Sequence, residues 1–373
     1  MGSVLYGGRG LTLTEGSGSR VRDSSGREYL DWFTGHGALL FGHRHPRLVA
    51  ALREASEGLW GVGAGFRHPA REAAEERLAA LLPRGRVLWA NSGAEALEGA
   101  LKLALLLRPG RPRLLAARRA FHGRTLGALG LTFNPKYREP FRAFLPPVEH
   151  RGAEELPAAV GPDVAAVFLE PLQGEGGVHP LDPELGRALT RACRASGALL
   201  VADEVQSGMG RCGALLASPL MGLEPDAVCL AKGLAGGLPA GALVWRGDLG
   251  DFAPHSHGST CAGNPVVCRV ALEAFRLLDE GLPQRGAALG EAFRGRLRGL
   301  GHPAIREVRG VGLLTGVELT VPALPVVKAL QERGVLALAA GPRVVRFLPP
   351  FVIPEEEGAE VAERFALALE DCR

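Results

Sequence analysis

The sequence predicts an α/β architecture: a large domain with a mostly parallel sheet between helices, and a small α+β domain. Three observations carry this. From Val87 to Val244 short apolar runs alternate with helical stretches, the pattern of strands buried on both faces and joined by crossover helices. Both ends of the chain break that pattern, with Leu11–Asp31 and Ile305–Leu319 alternating apolar and polar residues. Finally, 373 residues with 46% hydrophobic and 22% charged content suffice for one large or two medium domains around a substantial core.

The elements follow in chain order. Leu11–Asp31, punctuated by Gly16, Gly18 and Gly26, reads as a small meander of strands and turns. It belongs to an N-terminal segment, residues 1–45, expected to join the small domain. Leu48–Leu59 and Ala70–Leu82 have helical spacing and open the large domain, residues 46–283. Strands are expected at Val87–Ala90, Arg113–Ala117, Ala165–Leu169, Ala198–Ala202, Ala227–Ala231 and Gly241–Trp245, with a helix running to about Leu107. A helical pattern covers Val266–Leu278 after Gly263-Asn264-Pro265. The small domain, residues 284–373, offers a hairpin in Ile305–Leu319, a helix over Pro322–Arg333, a strand from Val344 and a closing helix over Glu355–Asp371. Glycine and proline are abundant but sit at element ends, so no long disordered linker is expected.

Bulk properties exclude several classes. A net charge of +3 is too small to argue for nucleic acid. Apolar stretches are broken by Gly, Arg or Pro before about 18 residues, so no membrane span is expected. The Gly-rich start lacks a basic region followed by an apolar one, so no secretory signal is expected and the location reads as cytoplasmic. The six cysteines form no C-x-x-C pair and read as buried free thiols. His43 and His45 have the spacing of a metal pair without a third ligand, and read as turn and packing residues; no metal is expected.

The chemistry starts from a bias. Of 43 basic residues only four are lysine, and one of these, Lys232, ends an apolar run, Ala227–Ala231. Another run, Ala198–Ala202, ends in Asp203. In an open parallel sheet ligands bind at the carboxyl ends of strands, so lysine and acid are expected at one edge. That is the requirement for holding pyridoxal phosphate as a lysine Schiff base while an acid keeps the ring nitrogen protonated. Arginine, always protonated, cannot replace that lysine.

Other motifs fit around this pair. Asn91-Ser92-Gly93-Ala94-Glu95 lies between a strand and a helix, where small residues leave backbone N–H groups free for a phosphate; alone it is an ordinary N-cap. Phe121-His122-Gly123-Arg124-Thr125 supplies an aromatic to stack on a ring and an arginine fork for a carboxylate; alone it is a core Phe and a surface Arg. Glu170–Gly177 reads as a loop near the site or a solvated turn, and Gln206 can donate to the ring's phenolic oxygen. His257–Pro265 offers hydroxyls for a phosphate. Arg346 is a lone cation in an apolar strand and needs a carboxylate partner if buried.

In this order the motifs resemble class III aminotransferases of PLP-dependent fold type I, over nearly the whole chain from Gly18 to Val352. The similarity is greatest to acetylornithine aminotransferases and their relatives in lysine biosynthesis that act on substrates held by an amino-group carrier protein. Asn134–Phe141 and Ala231-Lys232-Gly233 fit that family, and Ile305–Gly312 and Ala340–Pro350 lean to the carrier branch. The resemblance implies the following roles. Lys232 is the Schiff-base lysine and proton shuttle. Asp203 binds the pyridinium, with His122 and Gln206 beside the ring. Phe121 and Val205 sandwich it. Ser92, Gly93 and Ala94 hold the phosphate, which Thr260 reaches from a second subunit of a homodimer. Arg124 takes the substrate α-carboxylate, Arg346 a carboxylate of 2-oxoglutarate, and Glu175 pairs with Arg346 when the other substrate is bound.

The chain departs from the family's usual residues at Leu39, Leu97, Cys261 and Ala262, which implies an intact cofactor site with an altered substrate wall. The expected reaction exchanges the terminal amino group of an α-N-blocked diamino acid with the glutamate/2-oxoglutarate pair, and the positive charge suits an acidic carrier protein. An aminomutase or epimerase is the alternative within the cofactor class; Arg346 and Glu175 argue against it. A cofactor-sensing regulator is the alternative outside it. It would need a DNA-binding domain, for which no segment before Leu11 is expected to suffice.

Overall fold

The computed structural model describes residues 7–63 and 65–372. An N-terminal meander comprises β1 (Leu13–Ser17), β2 (Arg20–Asp23) and β3 (Glu28–Asp31). The central sheet then takes β4 (Arg86–Ala90), β5 (Arg113–Ala117), β6 (Glu149–Arg151) and β7 (Val164–Leu169). A two-stranded hairpin, β8 (Leu172–Gln173) and β9 (His179–Pro180), projects from the end of β7. The sheet resumes with β10 (Leu199–Asp203), β11 (Ala227–Leu230) and β12 (Gly241–Trp245). A C-terminal sheet contains β13 (Ile305–Val311), β14 (Leu314–Leu319), β16 (Leu338–Ala339) and β17 (Val344–Phe347), while β15 (Val335–Leu336) pairs with β3.

The central sheet has the order β4-β12-β11-β10-β7-β5-β6. It is parallel except for β12, which runs antiparallel to both β11 and β4. Only residues 231–240 separate β11 from β12, and a parallel crossover needs a dozen or more; the chain must turn straight back. The parallel strands therefore share one carboxyl edge, and the connection carrying Lys232 lies along it. Every residue of β7, β10, β11 and β12 is buried, as expected of strands covered on both faces by helices.

The ends of the chain are tied together by one carboxylate. Glu357, which opens the last helix (Glu357–Glu370), is 1% exposed and accepts from Trp32 Nε1 at 2.7 Å and Ser19 Oγ at 2.6 Å. Trp32 packs edge-on against Phe293 and Phe347. Glu357→Ala orphans both donors in the interior, so chemical denaturation is expected to show a loss of about 3 kcal/mol. Glu357→Gln, which keeps an acceptor, should recover part of it. Arg211 is a second tie: fully buried, it donates to the carbonyls of Gly37, Leu313 and Pro349, and burial pulls its guanidinium down to about 9.

Some elements differ from the sequence reading. Glu149-His150-Arg151 forms edge strand β6 although it is wholly polar. The helix Leu282–Gly299 was hidden by its glycines. One of them, Gly290, is required by packing, since a Cβ there would lie 1.7 Å from the Gly312 carbonyl oxygen. Four cysteines are buried, but Cys261 is exposed and Cys372 half-buried, so the reading of uniformly buried thiols is corrected at these two. His43 bonds Asp31 at 2.7 Å and His45 packs edge-on against Phe41. No helix among the described residues is long and apolar enough to cross a membrane.

Candidate active site

A cavity of about 360 Å³ opens at the carboxyl edge of the central sheet. Lys232 follows β11 and turns into the cavity mouth with φ +45°, a left-handed backbone that costs a side-chain-bearing residue about 1–3 kcal/mol and marks functional positions. The surrounding packing over-determines it: a Cβ on the next residue, Gly233, would already sit 2.8 Å from Leu40. Burial lowers the Lys232 amine below its ordinary 10.5, against the opposing pull of Glu175 and Asp203. The neutral amine is therefore more accessible than in a free lysine.

Asp203 ends β10 and is almost fully buried. Its Oδ1 accepts the Val205 N–H at 3.0 Å and its Oδ2 lies 2.7 Å from His122 Nδ1. His122 is itself fixed, its main-chain N–H donating to Thr132 Oγ1 at 2.9 Å. Behind this pair stands Glu170, whose carboxyl accepts from Phe121 N–H (2.9 Å) and Gly174 N–H (3.0 Å). Burial, reinforced by the Asp203 charge, pushes Glu170 above the usual carboxylate range. It thus braces the Phe121 segment against the loop that leads to Glu175. The sequence motif Glu170–Gly177 is not a solvated turn.

The helix Gly93–Leu107 opens onto the other end of the cavity. Ser92 caps it, Oγ accepting from Glu95 N–H at 3.2 Å, so its ordinary N-cap role holds alongside any role toward a ligand. Gly93 and Ala94 line the cavity at the first turn. A Cβ on Gly93 would meet both Val205 methyl groups at 2.8 Å, and one on Gly123 (φ +127°) would meet Ala94 at 2.8 Å. Only small residues let these segments converge.

Arg346, in β17, is fully buried. It donates to Gln206 Oε1 at 2.9 Å and to Glu175 Oε1 at 2.6 Å. Burial alone would raise Glu175, but Arg346 overrides it and holds the carboxyl below its usual range.

Ser92, Gly93, Ala94, Phe121, His122, Asp203, Val205, Gln206 and Lys232 therefore line one cavity. Thr260 does not; it lies on an exposed loop, held nearby because Asn91 Nδ2 donates to Ser259 Oγ at 2.9 Å. Arg124 is also outside and exposed, its guanidinium over the rings of Tyr137 (4.4 Å) and Phe121 (5.9 Å). Leu39 sits at the mouth against Gly237. Leu97, read as a substrate-wall change, is fully buried in the core between helix and sheet, away from that wall. Two features escaped the sequence reading. Residues Gly237–Ala240 form one wall, signalled only by a Gly-Gly turn. His36 (φ +59°), on the strained Thr34–Gly37 turn, lies within electrostatic reach of Glu175, Arg346 and Lys232.

Comparison with known proteins decides the family. The family described as aminotransferase class-III matches residues 6–369.

The chain belongs to the class-III aminotransferases.

Among curated relatives, an acetylornithine aminotransferase of Mycobacterium tuberculosis is 43% identical over 94% of this chain and 90% of its own. A LysW-aminoadipate semialdehyde transaminase of Deinococcus radiodurans is 39% identical over 98% of this chain and 88% of its own. The solved ornithine aminotransferase of Toxoplasma gondii superposes with a TM-score of 0.93 at 35% identity, covering 99% of this chain and 92% of that one. This aminotransferase is thus a fold type I enzyme, and its cofactor is pyridoxal 5′-phosphate.

The residues present fit that cofactor. A neutral-prone lysine and a fixed carboxylate share the cavity, Phe121 and Val205 supply its flanks, and a helix N-terminus built from Gly93 and Ala94 opens onto it. When bound, pyridoxal phosphate supplies an electron sink that makes the carbon bearing the amino group acidic.

Proposed function

We propose that this aminotransferase moves the terminal amino group of an α-N-blocked diamino acid to 2-oxoglutarate, giving glutamate, in two half-reactions at one site. The pairing of fully buried Arg346 with half-buried Glu175 carries this reading. One substrate presents a carboxylate beside the reacting carbon and the other presents none. A buried arginine facing the second would be uncompensated, at about 3–5 kcal/mol. Glu175 neutralises Arg346 for the diamino acid and yields it to the dicarboxylate. The blocked α-amine prevents the semialdehyde product from cyclising. The relatives named for acetylornithine and for LysW-aminoadipate semialdehyde support both an acetyl cap and a carrier protein as the block, and the net charge of +3 suits docking of an acidic carrier.

In this reading Lys232 Nζ holds the cofactor and moves the proton on the substrate. Asp203, oriented by His122, faces the ring nitrogen, and Gln206 the phenolic oxygen. Phe121 and Val205 confine the ring, and Ser92, Gly93 and Ala94 bind the phosphate. Arg124 takes the α-carboxylate and Leu39 narrows the mouth. The enzyme works as a cytoplasmic homodimer in which Thr260 serves the partner's phosphate.

A surface feature supports the dimer. Trp60 and Phe66 are 69% and 74% exposed. Buried Arg71 ties their segment to the Thr260 loop by donating to the carbonyls of Val62, Phe66 and Gly263. Trp60→Glu is expected to shift the molecular mass from dimer toward monomer in light scattering, with weaker retention of pyridoxal phosphate. A dimer unmoved by Trp60→Glu would remove this patch from the interface.

The function is tested by adding glutamate, N-acetylornithine, free ornithine, N-acetyllysine or carrier-linked lysine to the cofactor-loaded enzyme and following the cofactor absorbance through one half-reaction. Glutamate and one blocked diamine should each convert it. Failure of every blocked diamine would overturn the proposed substrate class. An aminomutase or epimerase would instead rearrange its substrate with no dependence on 2-oxoglutarate.

A further inference from the structure

The loop that carries Glu175 is held at two points, and only one of them belongs to the substrate exchange already described. Strand β14 lies between β13 and β17 in a register that aligns Arg309 with Gly316 and Gly316 with Arg346. These three residues therefore share one face of the sheet. The Glu175 loop crosses that face. Arg346 takes the Glu175 side chain. Arg309, two strands away, takes the main chain: Nε donates to the carbonyls of Gly177 and Val178 at 3.0 Å each, and Nη2 to Gly177 at 2.7 Å. Between the two arginines, Val178 packs on the bare Cα of Gly316, where a Cβ would meet the valine at 2.6 Å.

The clamp has a cost that identifies it as more than a filler contact. Val178 is β-branched yet sits at φ +58° and is fully buried, a conformation that persists only where its surroundings impose it. Gly177 sits at φ +114°, a backbone conformation that residues with a side chain rarely adopt, and a Cβ there would press on His179 Nε2 at 2.9 Å. Arg309 is in turn fixed by Glu307 at 2.5 Å and Glu318 at 2.6 Å, so its fork is oriented before the loop arrives.

We infer that Arg309, with Gly316, is a positioning residue that immobilises the Glu175 main chain, so that Glu175 exchanges between Arg346 and release by side-chain rotation alone, and that this clamp sets the enzyme's preference between its two substrate classes. The inference rests on the two-substrate reading of Arg346 and Glu175. Arg309 touches neither cavity nor substrate; it acts through the register of Glu175. Loosening the clamp leaves Arg346 able to bind a dicarboxylate but less often neutralised for a substrate without one.

The test uses the cofactor-loaded enzyme and two probes, glutamate and N-acetylornithine, each followed through its own half-reaction. Arg309→Met is expected to lower the N-acetylornithine to glutamate ratio of kcat/KM about ten-fold, with the glutamate half-reaction changed less than about three-fold. Arg309→Lys, which keeps the charge but not the fork, should recover only part of it. Gly316→Ala, which displaces Val178 and leaves Arg309 intact, should shift the ratio in the same direction. Amide exchange at residues 175–178 should quicken in all three variants. Glu175→Gln is the reference. If it shifts the ratio and Arg309→Met does not, or if Arg309→Met depresses both half-reactions equally, the positioning role is overturned. If Glu175→Gln itself leaves the ratio unmoved, or the wild type does not accept N-acetylornithine, the two-substrate reading falls and takes the inference with it.

Discussion

Lys232→Ala is expected to lower turnover by about 10⁴-fold, the upper range for removing a positioned proton-transfer group, equivalent to about 5 kcal/mol of barrier. The other lysines of the chain cannot substitute. Lys102 bonds the Ser256 carbonyl at 2.8 Å on the surface, and neither Lys136 nor Lys328 lines the cavity. Lys232→Arg should be as inactive as the alanine variant, because a guanidinium keeps its proton. The fold should survive, since the left-handed backbone at 232 is imposed by its neighbours and alanine tolerates it no worse than lysine. Glutamate-dependent conversion of the cofactor and thermal unfolding, measured together, separate these effects. Activity within about ten-fold of wild type in either variant would remove Lys232 from the chemistry. The lowered basicity of Lys232 adds a sign. Uptake of pyridoxal phosphate by the cofactor-free enzyme should rise with pH through a midpoint below 10.5, the ordinary lysine value. Between those two values the folded chain binds fewer protons here than the unfolded chain, so this group's share of stability increases with pH.

Asp203→Asn is the second large effect, an expected loss of about 10²–10³-fold in kcat, as for other removals of a preorganised charge in a desolvated site. The amide keeps the volume and one acceptor, so the Val205 N–H bond can persist. What changes is the partner of His122 Nδ1 at 2.7 Å, which loses a carboxylate, and the charge available to hold a proton on the cofactor's ring nitrogen. The loss should fall on kcat more than on KM for glutamate, because the Asp203 carboxylate is taken up by His122 and the Val205 N–H and its proposed partner is the cofactor, not the substrate. Equal activity of the Asn variant would mean that the buried carboxylate serves only to anchor the His122 segment. His122→Phe, which removes the bond from the other side, should produce a smaller loss in the same direction.

The central sheet and the paired ends of β10 and β11 were legible because a strand covered on both faces is written as a nearly unbroken apolar run, and a charge that ends such a run stands out. The same rule explains what was missed. Edge strand β6 is Glu-His-Arg and carries no apolar signal, and the Leu282–Gly299 helix spends four positions on glycine, which obscures its spacing. The reversed direction of β12 follows from counting connecting residues, which a pattern of runs does not do. At the site, residue identity was readable but reach was not. Arg124 and Arg346 look alike as isolated arginines; one lies on the surface over Tyr137 and the other is sealed against Glu175. The Arg309 clamp joins residues more than a hundred positions apart, and only the register of β13, β14 and β17 brings them together.

The tight return between β11 and β12 has a consequence for how such an enzyme can diversify. Ten residues, 231–240, are pinned at both ends by hydrogen-bonded strands, and they include both Lys232 and one wall of the cavity. An insertion here would release Lys232 from its seat and admit a different strand direction, so this stretch has no slack to trade for new specificity. The segment Thr34–Leu39, which approaches the cavity from outside the sheet, belongs to no strand and carries no such constraint from the ladder. New substrates are therefore reached by exchanging the rim around a fixed anvil, not by reshaping the anvil itself.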